Sequence, residues 1–139
     1  MSTATTSANS IQNLIYRAVA WALVADNAAS TPATVVDIAL HVGAPVTSAQ
    51  TSNEATYTSY ARVSVNRNTG GWSAAALGAL SNAALIQFPE STGGSNVVDY
   101  VSVGINGTII HYGALSAART ITSGIQPQFA ASALVSTQT

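Results

Sequence analysis

Lysine and cysteine are both missing from this 139-residue chain, and charge of either sign is scarce: four arginines stand beside five acidic residues, 6% of the whole. A solitary soluble domain has roughly a quarter of its residues charged. Neutral polar side chains or other protein must therefore cover the surface, and both means are visible. Residues 2–9, 47–53 and 132–139 are rich in Ser, Thr, Asn and Gln. The abundant Ala and Val, within a 47% apolar composition, provide faces meant for burial. This balance predicts a subunit of a packed assembly before it predicts a free enzyme.

Each absence excludes a class. Without cysteine there are no disulfides, thiolate metal sites or cysteine nucleophiles, and either redox compartment suits the chain. A formal net charge of -1, with Arg17, Arg62, Arg67 and Arg119 as isolated cations, gives no clustered positive surface, so no nucleic-acid partner is expected. The start of the chain lacks the basic and apolar segments of a signal peptide. The apolar stretch after it is interrupted by Gln12, Asn13 and Arg17, too short and amphipathic to span a bilayer. A soluble product of a cytoplasm, with no membrane partner, is the expectation. Asn106-Gly107-Thr108 fits a glycosylation sequon but reads as a hairpin turn.

Catalytic patterns are also missing. The acids Asp26, Asp37, Glu54, Glu90 and Asp99 form no recognisable pair. His41 could partner Asp37 on the outward face of one strand, since i and i+4 point the same way, while His111 sits in a hairpin. No His-x-His or His-x-x-x-His spacing points to a metal. There is no Gly-x-Ser-x-Gly elbow, and a serine is a nucleophile only beside a base held by a third group. The Gly70-Gly71 and Gly93-Gly94 pairs lack a phosphate-loop lysine and read as turns. Tyr57, Tyr60, Tyr100 and Tyr112 have no basic groove beside them, so core and subunit contact fit them better than base or sugar stacking. No catalytic, cofactor or metal residue is predicted.

What the chain does contain is periodicity. Ile11, Leu14, Ile15, Ala18, Val19, Ala22 and Leu23 follow helical spacing. Ser10 is placed as the N-cap, and Asp26, Asn27 and Thr31-Pro32 as the exit. Residues 1–9, aperiodic and mostly small and polar, are expected to be a flexible arm ahead of a single domain over residues 10–139. Tyr16, Arg17 and Trp21 carry too little positive charge for a membrane helix. The stripe should pack on a sheet, leaving Trp21 to a neighbour.

From Thr34 to Val42 the period falls to two. Val36, Ile38, Leu40 and Val42 share a core face, with Asp37 and His41 directed away from it. Residues 43–53 read as a loop, 57–65 as a second strand, and 68–71 as a turn. Residues 72–81 are ambiguous, with strand or loop preferred to helix. A short strand follows over 83–88, then a turn over 91–95. Residues 97–105 and 108–115 flank Asn106-Gly107, the pair that a type I′ hairpin favours. Residues 119–122 and 125–135 supply the remaining strands. The fold class expected is mainly β, a β-sandwich or jelly roll with one N-terminal helix.

Several segments also carry a resemblance: Thr31-Pro32-Ala33-Thr34 leading into Ile38-Ala39-Leu40-His41, then Tyr60-Ala61-Arg62-Val63, Ile86-Gln87-Phe88-Pro89, and Ile109-Ile110-His111-Tyr112-Gly113-Ala114-Leu115. In this order, from about Ile11 to Val135, the chain resembles small structural proteins of tailed bacteriophages, nearest to the jelly-roll cement (decoration) proteins of short-tailed phages. The resemblance implies a non-enzymatic virion subunit on the outer capsid, bridging major capsid proteins as a dimer or other small oligomer. The alternative is a tail-fibre or adhesin subunit contacting the host surface, although neither heptads nor internal repeats are present.

Overall fold

The computed structural model describes residues 4–21 and 32–138. Its elements run α1 (Thr5–Arg17), β1 (Val35–His41), β2 (Val63–Asn66), β3 (Ala79–Ser81), β4 (Ile86–Gln87), β5 (Asn96–Ile105), β6 (Thr108–Ile121), β7 (Gln128–Phe129) and β8 (Val135–Thr137). The protein is mainly β with one helix and antiparallel sheets, the class expected. The largest sheet has the order β2-β1-β5-β6, and two small ones pair β3 with β8 and β4 with β7. The chain divides into two compact units. One comprises Met1–Val35, Val65–Ile86 and Phe129–Thr139, the other Val36–Ser64 and Gln87–Gln128.

In the first unit the helix differs from its expected bounds. It begins at Thr5, with Ala4 rather than Ser10 as N-cap, so residues 5–9 are helical. It buries Ala8, Gln12 and Tyr16, an i, i+4, i+8 stripe, while Ile11, Leu14 and Ile15 are only half-buried. It stops at Arg17, where Ala18 takes the left-handed conformation at φ 53. The expectations for Ala22, Leu23, Asp26, Asn27 and Thr31 lie outside the described residues.

The end of the helix is closed locally, with Ala18 N and Val19 N donating to Asn13 O, and also from elsewhere in the chain. In a continuing helix the carbonyls of Leu14 and Ile15 would accept from the amides of residues 18 and 19. Arg67 occupies them instead: its Nη2 donates to Leu14 O at 2.7 Å and its Nε to Ile15 O at 2.5 Å. A third donation, from Nη1, goes to Ala33 O.

The helix packs beside a tight turn. Ala76 and Ala79 exchange backbone hydrogen bonds of 2.8 and 3.0 Å around Leu77-Gly78, whose φ angles are 52 and 78. Asn9 Oδ1 accepts from Gly78 N at 2.6 Å, and Gln12 Nε2 donates to Gly78 O at 3.4 Å. Tyr16 meets Trp72 edge-to-face at 4.5 Å, and its hydroxyl donates to Ser136 Oγ at 3.1 Å. Burial pushes the Tyr16 hydroxyl pKa up to about 12. Residues 72–81 thus contain a hairpin turn leading into β3, the strand-or-loop alternative to helix.

The second unit is built around β1, β5 and β6. Asp37 through His41 pair with Gly104 through Tyr100, and β5 continues into β6 across Asn106-Gly107. Their φ angles of 51 and 77 are those of a type I′ turn, as the pair predicts. Gly107→Val forces a β-branched residue to positive φ and should cost about 1–2 kcal/mol. Thr92→Val, in an exposed loop, should cost less, and urea unfolding of the two variants side by side compares them. Equal losses would contradict the turn assignment.

Val36, Ile38 and Leu40 are buried as expected, but two neighbours depart from the half-buried pattern. Val42, beyond the strand end, is exposed, and His41 is wholly buried rather than directed outward. Alternation showed two faces but not that loop residues 46–54 cover the second. The expected strand over 57–65 shrinks to β2, because Ser59 turns to φ 77 and Tyr60 N donates to Tyr57 O. The expected strand over 119–122 is instead the end of β6. There residues 115–118 stand against Asp99 alone, between the pairs Tyr100 with Ala114 and Val98 with Arg119.

Candidate functional site

The densest polar arrangement among the described residues lies against β1 and β5 and centres on His41, Ser102 and Gln50. All three are essentially closed to solvent. Ser102 stands opposite Ala39 in the ladder, which puts its side chain diagonal to His41 on one face. His41 Nε2 lies 2.7 Å from Ser102 Oγ, and Nδ1 lies 2.9 Å from Ser52 O. A carbonyl only accepts, so Nδ1 carries the proton and Nε2 accepts from the Ser102 hydroxyl. Gln50 Nε2 donates to Asp37 O at 2.8 Å and to Ser102 Oγ at 3.3 Å. Gly104 leaves room for it, since a Cβ there would sit 2.6 Å from Gln50 Cδ.

A second cluster adjoins it. Arg62 grips Glu54 with Nε on Oε1 and Nη2 on Oε2, both at 2.7 Å. Tyr60 donates its hydroxyl to Glu54 Oε1 at 3.0 Å while accepting from Leu40 N at 3.1 Å. Burial raises the Tyr60 hydroxyl pKa, and the Glu54 carboxylate adds to the rise. The Glu54 partnership is the largest influence raising Arg62. His41 is held below its ordinary value chiefly by burial, against the backbone bond to Ser52 and the Glu54 charge, with Arg62 adding to the depression.

A serine at hydrogen-bond distance from a histidine has the geometry of an activated nucleophile. Here the surroundings differ from those of an activated serine. Both side chains are closed to solvent, and Nδ1 bonds a backbone carbonyl rather than an orienting carboxylate. The network ties loop residues 50 and 52 to both central strands.

The expected partnership of His41 with Asp37 does not form, because Asp37 Oδ1 accepts from Ser64 Oγ at 2.6 Å. Glu90 is exposed, Asp99 Oδ1 is buried without a hydrogen-bond partner among the described residues, and Asp26 lies outside them. His111 stands opposite Val103 in the hairpin. Among the described residues no three metal-binding side chains gather, and no helix is long and apolar enough to cross a membrane. Of the tyrosines, Tyr57 is core, with its hydroxyl donating to Pro89 O at 3.0 Å and its ring edge-on to Tyr60 at 5.2 Å, while Tyr112 is exposed. Sequence reasoning missed Gln50, Ser102 and Arg67 as organising residues. The available signal was a polar side chain inside an apolar run, as in Val101-Ser102-Val103.

The protein is thus mainly β, with polar clusters that tie loop residues to its central strands. The chain belongs to the family described as podophage GP4 fiber I protein gp80, whose model matches residues 2–137. It is therefore a structural protein of the short-tailed phage class, as the resemblance implied. The family description names a fibre and does not support the nearer likeness to capsid cement proteins. No curated protein matches the chain.

Proposed function

We propose that this protein is a non-enzymatic fibre subunit of a short-tailed phage virion, working through contacts rather than catalysis. The observation that carries this reading is the family match, which spans nearly the whole chain and bears a fibre protein's name. The sealed His41–Ser102 pair and the charge-poor surface support it. A fibre subunit holds neighbouring virion chains and presents loops outward, and neutral surfaces do this with little dependence on salt. The cement reading, in which the chain bridges major capsid proteins on the head, rests on the resemblance of short segments and on the β-rich fold. In either place self-association is part of the proposal.

Antibody labelling of intact virions separates the two. Label confined to the tail region, with at most a few dozen copies per particle, is the expected result. Label over the whole head, with hundreds of copies and head heat resistance restored by adding the protein back, would replace the fibre reading with the cement one.

A further inference from the structure

Gln50 adds an acyl group to the buried serine and histidine. Ser102 Oγ donates to His41 Nε2 at 2.7 Å, and the Ser52 carbonyl holds the tautomer in which that nitrogen is able to take a proton. Burial keeps His41 below its ordinary pKa, so the ring is a neutral base at pH 7. The same Oγ lies 3.3 Å from the amide nitrogen of Gln50, one bond from a carbonyl carbon. Arg62 uses Nε and Nη2 on Glu54 and directs Nη1 to Gln50 Oε1 at 3.4 Å. A hydroxyl, a base, an acyl group and a cation at the acyl oxygen are therefore gathered in one place.

An acyl group that belongs to the same chain needs no path in from solvent. His41 and Gln50 have no exposed surface and Ser102 has 1%. Holding the reacting groups together in advance replaces a chance encounter. A carboxamide is a poor acyl donor, so its reaction is slow beside folding, and the freshly folded chain keeps the hydrogen-bonded arrangement.

We propose that the chain reacts once with itself, the Gln50 side chain esterifying Ser102 Oγ with loss of ammonia. The Gln50 amide turns about its soft last torsion to present its carbon. His41 Nε2 takes the hydroxyl proton as the Oγ–Cδ bond forms, and Arg62 faces the negative charge that gathers on Oε1. The imidazolium then gives the proton to Gln50 Nε2. The Cδ–Nε2 bond breaks with its electron pair on nitrogen, and ammonia departs. No oxidant or co-reactant enters the balance. Closure to solvent keeps water from competing for the acyl carbon. The product ties loop residue 50 covalently to β5, in a chain whose lack of cysteine denies it a disulfide. Because the reaction is confined to one event within the chain, the protein stays non-enzymatic toward other molecules, and the inference holds on the tail or the head alike.

The intact mass of folded wild-type protein, followed over days at pH 8, tests this without any substitution. It should fall by one ammonia, about 17 Da. Trypsin, cutting after the four arginines, should then release residues 18–62 joined to residues 68–119 as one species that hydroxylamine separates. Asn106-Gly107 can also lose ammonia by closing a succinimide, but that leaves the two peptides separate. An unchanged mass, or a loss confined to residues 68–119, would overturn the inference. Ser102→Ala should keep its full mass, and the joined peptides appearing in that variant would refute Ser102 as the nucleophile. His41→Leu should slow the linking roughly a hundredfold, and the wild-type rate should fall as the pH drops below about 6.5. Equal rates in His41→Leu and wild type would refute His41 as the base.

Discussion

Replacing Arg67 with Met should lower the unfolding free energy by about 3–5 kcal/mol, because three carbonyls lose a charged donor at once. Arg67 is nearly buried, and no carboxylate approaches it among the described ion pairs. Its partners are the carbonyls of Leu14, Ile15 and Ala33. The first two belong to the last turn of α1, where carbonyls lack helical donors and carry the negative end of the dipole. Burial lowers the Arg67 pKa, but guanidinium remains charged at any working pH.

Met keeps much of the side-chain volume and removes all three donations. Three carbonyls then lose their partners together, and each buried one left unpaired costs about 1–3 kcal/mol unless water reaches it. Arg67→Lys should recover only part of the loss, because an ammonium cannot reproduce the planar fork that spans consecutive carbonyls. Urea denaturation with helix content followed by circular dichroism measures both variants. A loss below about 1 kcal/mol for Arg67→Met would show that the contact is incidental.

The same contact marks the limit of what the sequence discloses. Periodicity located a helix near the N-terminus, but the apolar pattern runs past Arg17 and gave no reason to stop there. The donor that satisfies the helix's last carbonyls sits more than 50 residues downstream of them, in a residue that reads as an isolated surface cation. Local signals fared better where geometry is local. Asn106-Gly107 placed the β5–β6 turn, and alternation over Val36, Ile38 and Leu40 placed β1. Alternation failed at residues 57–62 because Ser59 turns to positive φ and brings Tyr57 and Tyr60, which a strand would put on opposite faces, into edge-to-face contact. It also assigned His41 to solvent, since a polar side chain alternating with apolar ones looks the same whether water or a polar loop covers it. The structural use of His41, Ser102 and Gln50 was not legible, because it depends on residues 11 and 61 positions from His41 meeting at one point.

That meeting point makes the protein sensitive to acid in a defined window. His41 has a depressed pKa in the folded chain, with burial as the main cause. Between the ordinary value near 6.5 and its lower folded value, the unfolded chain binds a proton that the folded chain does not. Stability is therefore at its full value above about pH 6.5 and falls as the pH drops toward the folded pKa, by at most about 1.4 kcal/mol per pH unit for one group. The geometry explains the resistance to protonation. A proton on Nε2 would require Ser102 Oγ to accept from His41 as well as from Gln50, leaving the serine hydrogen without an acceptor in a buried place. The charged groups around the ring oppose one another, since Glu54 favours the imidazolium and Arg62 disfavours it.

His41→Leu removes both ring contacts and should cost about 2–4 kcal/mol at pH 8, from one unpaired buried hydroxyl and one unpaired carbonyl. The deficit should shrink as the pH falls from 6.5 to 5, because only the wild type loses His41-linked stability there. Subtracting the two pH profiles removes every other titrating group common to both. Denaturant unfolding at half-unit intervals gives the difference curve, which should be flat above pH 7 and decline below 6.5. A difference that stays constant down to pH 5 would mean that His41 titrates alike in the folded and unfolded chains, and that its hydrogen bonds do not fix its protonation state.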